Sequence, residues 1–270
     1  MKFIRLATIA ALSTTILAGG ATAAFAEEAR EVTTDGQVEF RAGGEEDGEL
    51  EVVPPENEPD VEIEPEKPGT TGPLSILKAA TMDFGTQVIS NQDKTYNMVA
   101  EMQPLRETGE LVPYVSFAQV HDIRGTNAGW DLQVSLSEFT SNTQNNVLTG
   151  AEIEFVDSHI QYEGINEDNA PAAHSAGLTL LPNGAARSVM TATEGKGALV
   201  SSVVWGDQEE LNARLADEDI DVVENDAIQL SIPGSTAKDA TTYTSTLTWE
   251  LTSTPGENGP EETPETGEGV

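Results

Sequence analysis

Ten consecutive residues near one end of the chain alternate with a period of two. Tyr243, Ser245, Leu247, Trp249 and Leu251 fall on one side, and Thr244, Thr246, Thr248, Glu250 and Thr252 on the other. Successive side chains of an extended backbone point to opposite faces, so this run carries one apolar and one threonine-rich face. Such a strand needs a hydrophobic layer beneath it and polar surroundings above it, as in a half-buried antiparallel sheet. Ile228, Leu230 and Ile232 repeat the pattern against Gln229 and Ser231. Further short runs rich in Val, Ile, Thr and aromatics lie at 74–84, 96–102, 116–121, 130–136, 151–156, 188–193 and 199–205. Pro182-Asn183-Gly184, Pro233-Gly234 and Asn127-Ala128-Gly129 supply turn chemistry between runs. Only 208–215, with Leu211 and Leu215 four apart, has helical spacing. The body of the chain, 74–255, is therefore expected to be all-β, an antiparallel β-sandwich or barrel of about nine to eleven strands.

The segments outside that body differ in composition. Met1-Lys2-Phe3-Ile4-Arg5 is basic, an apolar stretch follows, and small residues end in Ala24-Phe25-Ala26. This is the layout of a secretory signal peptide over 1–26, and Ser13, Thr14, Thr15, Gly19 and Gly20 interrupt it too often for a membrane span. Cleavage removes Lys2 and Arg5 and makes the formal charge of −34 two units more negative. Between Glu27 and Pro68, 16 acids face only Arg30, Arg41 and Lys67, and acids alternate with prolines. High charge with almost no large apolar residue does not offset the entropy of ordering. Residues 27–73 are therefore expected to be a disordered acidic Pro-rich leader, dispensable for folding, and 256–270 a short disordered acidic tail.

Charge and cysteine content exclude several functions. So acidic a chain repels nucleic-acid phosphates. With no cysteine it has no disulfide framework, thiolate zinc site or thiol nucleophile, which suits a Gram-positive exterior. Pro264-Glu265-Thr266-Gly267 is similar to a sortase signal, but Thr263 stands in place of Leu and only Glu268, Gly269 and Val270 follow. Attachment to a wall, if any, is expected to be non-covalent.

Catalysis has little support. His121, His159 and His174 are scattered, with no Gly-x-Ser-x-Gly elbow and no His-Glu-x-x-His pair. Gly195-Lys196-Gly197 lacks the Walker frame and reads as a turn. Asp217, Asp219 and Asp221 open like a calcium loop, but Val222 replaces the needed Gly and Ile228 the closing Glu. No catalytic residue, metal or cofactor is expected. The enzymatic alternative is a peptidoglycan hydrolase, whose paired carboxylates would be assembled in three dimensions and leave no spacing to read.

Two tripeptides share one pattern, Trp130-Asp131-Leu132 and Trp249-Glu250-Leu251. In each, Trp and Leu share a strand face and the acid points away. With Met82-Asp83-Phe84-Gly85 near the start of the β-rich body and Val120-His121-Asp122-Ile123-Arg124-Gly125 ahead of the first tripeptide, the chain resembles the WxL domain family of low-GC Gram-positive bacteria. The resemblance covers about 74–255. It implies a secreted cell-surface protein, non-enzymatic and held non-covalently at the cell wall through peptidoglycan. It also implies WxL-interacting and other surface proteins as partners. The alternative it implies is an interaction subunit of a surface complex that binds a membrane-anchored WxL-interacting partner, with only indirect wall association. Trp130, Asp131, Leu132, Trp249, Glu250 and Leu251 are the expected wall-binding motif. The two indoles serve either as exposed sugar platforms or as buried plugs, and their partners Leu132 and Leu251 favour plugs.

Overall fold

The computed structural model describes residues 36–42 and 51–253. The signal peptide expected at 1–26, the leader at 27–35 and 43–50, and the tail at 256–270 with its sortase-like segment lie outside the described residues. The chain divides into two units, Met1–Phe40 and Arg41–Val270. Of the first, residues 36–40 are described, exposed and without regular secondary structure. The second unit carries the fold.

Its described residues form fourteen strands, more than expected, because several short ones carry no alternating signature. One sheet orders β1 (Leu74–Lys78), β5 (Ser116–Asp122), β12 (Leu199–Trp205) and β8 (His159–Tyr162). A second orders β10 (Leu178–Leu180), β7 (Glu152–Phe155), β13 (Glu224–Ile232) and β2 (Lys94–Val99). A third orders β14 (Leu247–Thr252), β6 (Trp130–Leu136), β11 (Arg187–Ala192) and β9 (Ala172–Ala173). β3 (Glu101–Pro104) and β4 (Leu111–Tyr114) make a two-stranded ribbon. All pairings between these strands are antiparallel. Each sheet is an open row with two ends, so the barrel alternative is corrected in favour of open layers.

Side chains from all three four-stranded sheets meet in one core, including Val120, Trp130, Leu132, Phe155, Leu180, Val203, Trp205 and Ile228. The sheet of β5 and β12 is buried on both faces. Ala118, Val120, Val203 and Trp205 face that core, while Phe117 and Val204 face a second cluster with Val61, Tyr114 and Leu211. Burial on both faces explains why these strands read as near-continuous apolar runs. Leu211 comes from α1 (Gln208–Leu215), the one segment with helical spacing, which Asp207 caps by accepting from the Glu210 N–H at 3.0 Å.

The second cluster overturns one expectation. The leader is not disordered up to residue 73, because residues from 51 onward pack on the fold. Val61 is fully buried and Ile63 nearly so. The Glu62 N–H donates to the Pro104 carbonyl at 2.9 Å, and the Arg106 N–H to the Asp60 carbonyl at 3.0 Å. The Gln119 side chain receives the Val53 N–H at 2.9 Å and donates to the Val53 carbonyl at 2.7 Å. Tyr114 Oη likewise receives the Glu56 N–H and donates to the Glu56 carbonyl. Asp60-Val61-Glu62-Ile63-Glu64 alternates, placing two β-branched side chains on one face between acids. Averaged charge hides that pattern.

Candidate functional site

The two Trp-x-Leu tripeptides meet on adjacent strands. β14 runs antiparallel beside β6, with Leu251 opposite Leu132 and Trp249 opposite Val134. On the other side of β6, Trp130 lies opposite Ala192 of β11. Residues about 120 positions apart in sequence thus form one patch on one sheet.

Trp130 and Leu132 are fully buried. The Trp130 Nε1–H donates to the Gly197 carbonyl at 2.9 Å. Gly197 has φ +73°, and a Cβ there would lie 2.6 Å from Trp130 Nε1 and 2.4 Å from Ala192 Cβ, so only glycine fits against the indole. Asp131 turns away from the Trp130 face, as expected, but not towards water. It is wholly buried and accepts from Ser188 Oγ at 2.8 Å, Thr191 Oγ1 at 2.7 Å and the Gln133 side-chain amide. These donors satisfy a carboxylate that burial alone would destabilise.

The segment before Trp130 fixes the approach to β6. Asp122 accepts from Arg124 Nε at 2.9 Å and Nη2 at 2.7 Å, and Arg124 Nη2 also donates to the Gly129 carbonyl at 2.9 Å. Gly129, with φ +78°, takes a left-handed conformation immediately before the indole. Asp122 is thus committed to Arg124 rather than to its neighbour His121.

The second tripeptide is only half covered. Trp249 and Leu251 are half-buried and Glu250 is exposed. The Trp249 ring tilts against Trp205 at 6.2 Å between centroids, and Trp205 stacks on Phe155 at 4.7 Å. The Trp205 Nε1–H donates to His174 Nε2 at 2.9 Å, which leaves His174 Nδ1 to carry the proton towards the Ser175 carbonyl at 2.7 Å. Sequence reasoning missed both Trp205 and His174. Trp205 ends a β-branched run without a Trp-x-Leu pattern, and nothing in sequence pairs it with a histidine 31 residues earlier.

That hydrogen bond gives a pH dependence. Burial holds the His174 pKa below the ordinary 6.5, and the Ser175 hydrogen bond and Asp157 only partly oppose this. The unfolded chain therefore takes up a proton at this residue before the folded chain does. Stability present at neutral pH is lost as pH falls through 6.5 towards the lowered folded value. His121, lowered by burial despite Asp122, acts in the same direction. H174Q keeps an acceptor for Trp205 but does not titrate. The parent's melting temperature should fall more steeply than that of H174Q between about pH 7.5 and about pH 5. Parallel curves would show that the His174 proton is not linked to folding.

A groove of about 860 Å3 lies at the start of the β14 run, between the Met82-Asp83-Phe84-Gly85 loop and the 238–247 segment. Tyr96, Tyr243 and Leu247 line it, and the well-exposed Val88 and Ile89 stand on its rim. Tyr243 Oη donates to the Asn145 carbonyl at 2.6 Å and receives the Asp239 N–H at 3.0 Å. The Asp239 carboxylate accepts from the Asn145 backbone and side-chain N–H groups at 2.8 and 2.7 Å, and these bonds hold its pKa below the usual range. Gly85, at φ +64°, turns the opposite loop, where its N–H meets Asp83 Oδ1 at 2.9 Å. The walls are thus preorganised, and the lining mixes aromatic and polar groups.

The three histidines sit on β5, on β8 and after β9. Among the described residues, no group of three or more His, Cys, Asp or Glu is placed to hold a metal. None of their helices is long and apolar enough to cross a membrane. A model of the family described as WxL domain, surface cell wall-binding, matches residues 27–255. No curated protein and no solved structure matches the chain.

Proposed function

Because the chain belongs to the WxL domain family of surface cell wall-binding proteins, and so is a cell-surface protein associated with the wall, we propose that it is exported and held there non-covalently by peptidoglycan. The family match over 27–255 carries this reading. The groove lined by Tyr96 and Tyr243 is the surface best suited to a glycan, since aromatic faces grip sugar rings while nearby polar groups orient them. Trp130, Asp131, Leu132, Trp249, Glu250 and Leu251 serve wall binding from beneath. They build the sheet whose strand β14 carries Leu247 into the groove wall.

The test is retention of the mature protein on sacculi stripped of teichoic acid. Replacing the exposed Val88 and Ile89 by Asp should lower retention about tenfold or more with an unchanged melting temperature. Parental retention by that variant would remove the groove from the reading. No retention of the parent at any salt concentration would end the peptidoglycan reading itself.

The rival is an interaction subunit bound to a membrane-anchored WxL-interacting partner, for which the strongly acidic chain offers charge complementarity to a basic surface. Salt separates the two. Repulsion between this chain and an anionic wall is screened within about 8 Å at physiological ionic strength, so wall binding should strengthen with NaCl. Attachment through a basic partner should weaken.

A further inference from the structure

β14 pairs with β6 along one edge, and among the described residues no strand pairs with its other edge. The ladder defines which backbone groups that edge presents. The Ser137 N–H donates to the Thr246 carbonyl at 2.9 Å, so Thr246, and by alternation Thr248 and Glu250, turn their backbone groups towards β6. Leu247, Trp249 and Leu251 therefore direct their N–H and C=O groups outward. The Gly184 N–H donating to the Leu136 carbonyl at 3.1 Å confirms the parity, since Leu136, opposite Leu247, faces away from β14.

Of the other edges of the four-stranded sheets, β8 holds only four residues, and those at β1, β2, β9 and β10 are covered or short. Thr70 covers β1, donating its N–H to the Ile76 carbonyl and receiving the Ile76 N–H on its hydroxyl, both at 2.8 Å. The Asp83 carbonyl takes the outward Val99 N–H of β2 at 2.8 Å, and the pairing of β2 shifts register between Asn225 and Gln229. β9 and β10 are two and three residues long. β14 has six residues, no register shift, no proline and no lysine, and its Trp249 and Leu251 are half-exposed. Apart from the single charge of Glu250, it has none of the devices that keep edge strands from pairing.

We propose that this edge pairs with the same edge of a second copy of the chain. The sequence 246–252, Thr-Leu-Thr-Trp-Glu-Leu-Thr, is almost the same read in either direction about Trp249. An antiparallel two-fold pair centred there sets Trp249 opposite its own copy and Leu247 opposite Leu251. All of these residues have outward-directed backbone groups, so the register meets the hydrogen-bonding requirement of the ladder. It also sets Thr248, not Glu250, opposite Glu250, so no like charges face one another across the seam. The facing neighbours on β6, Gln133 and Ser135, are uncharged, so they add no repulsion across the seam. The chain's own C-terminal sequence is a poor occupant, because Pro255, Pro260 and Pro264 offer no N–H and glutamates crowd between them. The pair joins two four-stranded sheets into one and covers both Trp249 rings.

Sedimentation equilibrium of the mature protein tests this. The parent should dimerise, and more tightly as NaCl rises, because screening relieves repulsion between two acidic bodies. T248E places two glutamate pairs across the seam and should raise the dimer dissociation constant about 5–30-fold without changing the melting temperature. T248E combined with E250K sets opposite charges at those positions in place of the two glutamate pairs and should return the constant to within about threefold of the parent. A monomeric parent across the concentration range overturns the proposal. So does a dimer indifferent to T248E, or one seen only after residues 254–270 are removed, which would make the tail the occupant of this edge.

Discussion

Trp130→Ala is expected to cost about 3–5 kcal/mol of folding stability, the range for emptying a fully buried tryptophan site. The indole is wholly enclosed, and its loss also strips the Gly197 carbonyl of its donor. Collapse around the void is restricted, because Ala192 and Gly197 already pack at the limit of approach on that side. Trp249→Ala removes a half-exposed ring, so its cost should be smaller, about 1–3 kcal/mol. Urea denaturation of both variants orders them. The sequence alone treats the two indoles alike, with Leu132 and Leu251 favouring buried plugs for both. The structure separates them, since β14 is an edge strand and β6 is interior to its sheet. Equal costs would mean that the β14 edge is covered in the mature protein.

The strands legible in the sequence are those where packing and period agree. The runs at 130–136 and 199–205 coincide with β6 and β12, and the helical spacing at 208–215 coincides with α1. β8 and β10 escape notice because they hold four and three residues and alternate too briefly to stand out. The run at 74–84 loses its strand after Lys78, where the chain leaves the sheet while Ala80 and Phe84 still drop into the core. Apolar content persists there without a pairing partner, and composition does not distinguish the two.

At the candidate site, the tripeptides were legible as a pair but their unequal exposure was not. A period of two fixes which side chains share a face, and says nothing about whether the strand is interior or at an edge. Asp131 shows the same limit. Alternation sends it to the far face, but its burial depends on Ser188 and Thr191 of β11, a strand brought alongside only by the fold. The aromatic cluster of Trp205, Phe155, His174 and Trp249 combines residues from separate strands and a loop, with no common motif.

The packed part of the acidic leader carries the other large effect. A chain beginning at residue 69 lacks Val61 and Ile63 and exposes the Val112, Tyr114, Phe117 and Val204 face that they cover. Fully burying a β-branched side chain is worth about 1.5–3 kcal/mol, so the two removed residues alone account for about 3–6. Gln119 and Tyr114 also lose the backbone partners they have at Val53 and Glu56, which leaves the Gln119 amide only its 2.9 Å bond to Ser202 Oγ. For a domain of this size, each kcal/mol shifts the melting temperature by about 2–4 °C, so the truncated chain should melt 10 °C or more below the mature protein. Val61→Asp tests the same contact without altering chain length. It places a carboxylate in a fully buried apolar site and should lower the melting temperature comparably. If both the truncated chain and Val61→Asp melt within a few degrees of the mature protein, residues 51–68 rest on the surface without contributing to the fold. A large loss in both makes this acidic stretch the outer layer of the sandwich. Its negative charge then stays on the solvent side because Asp60, Glu62 and Glu64 alternate with the two residues that anchor it.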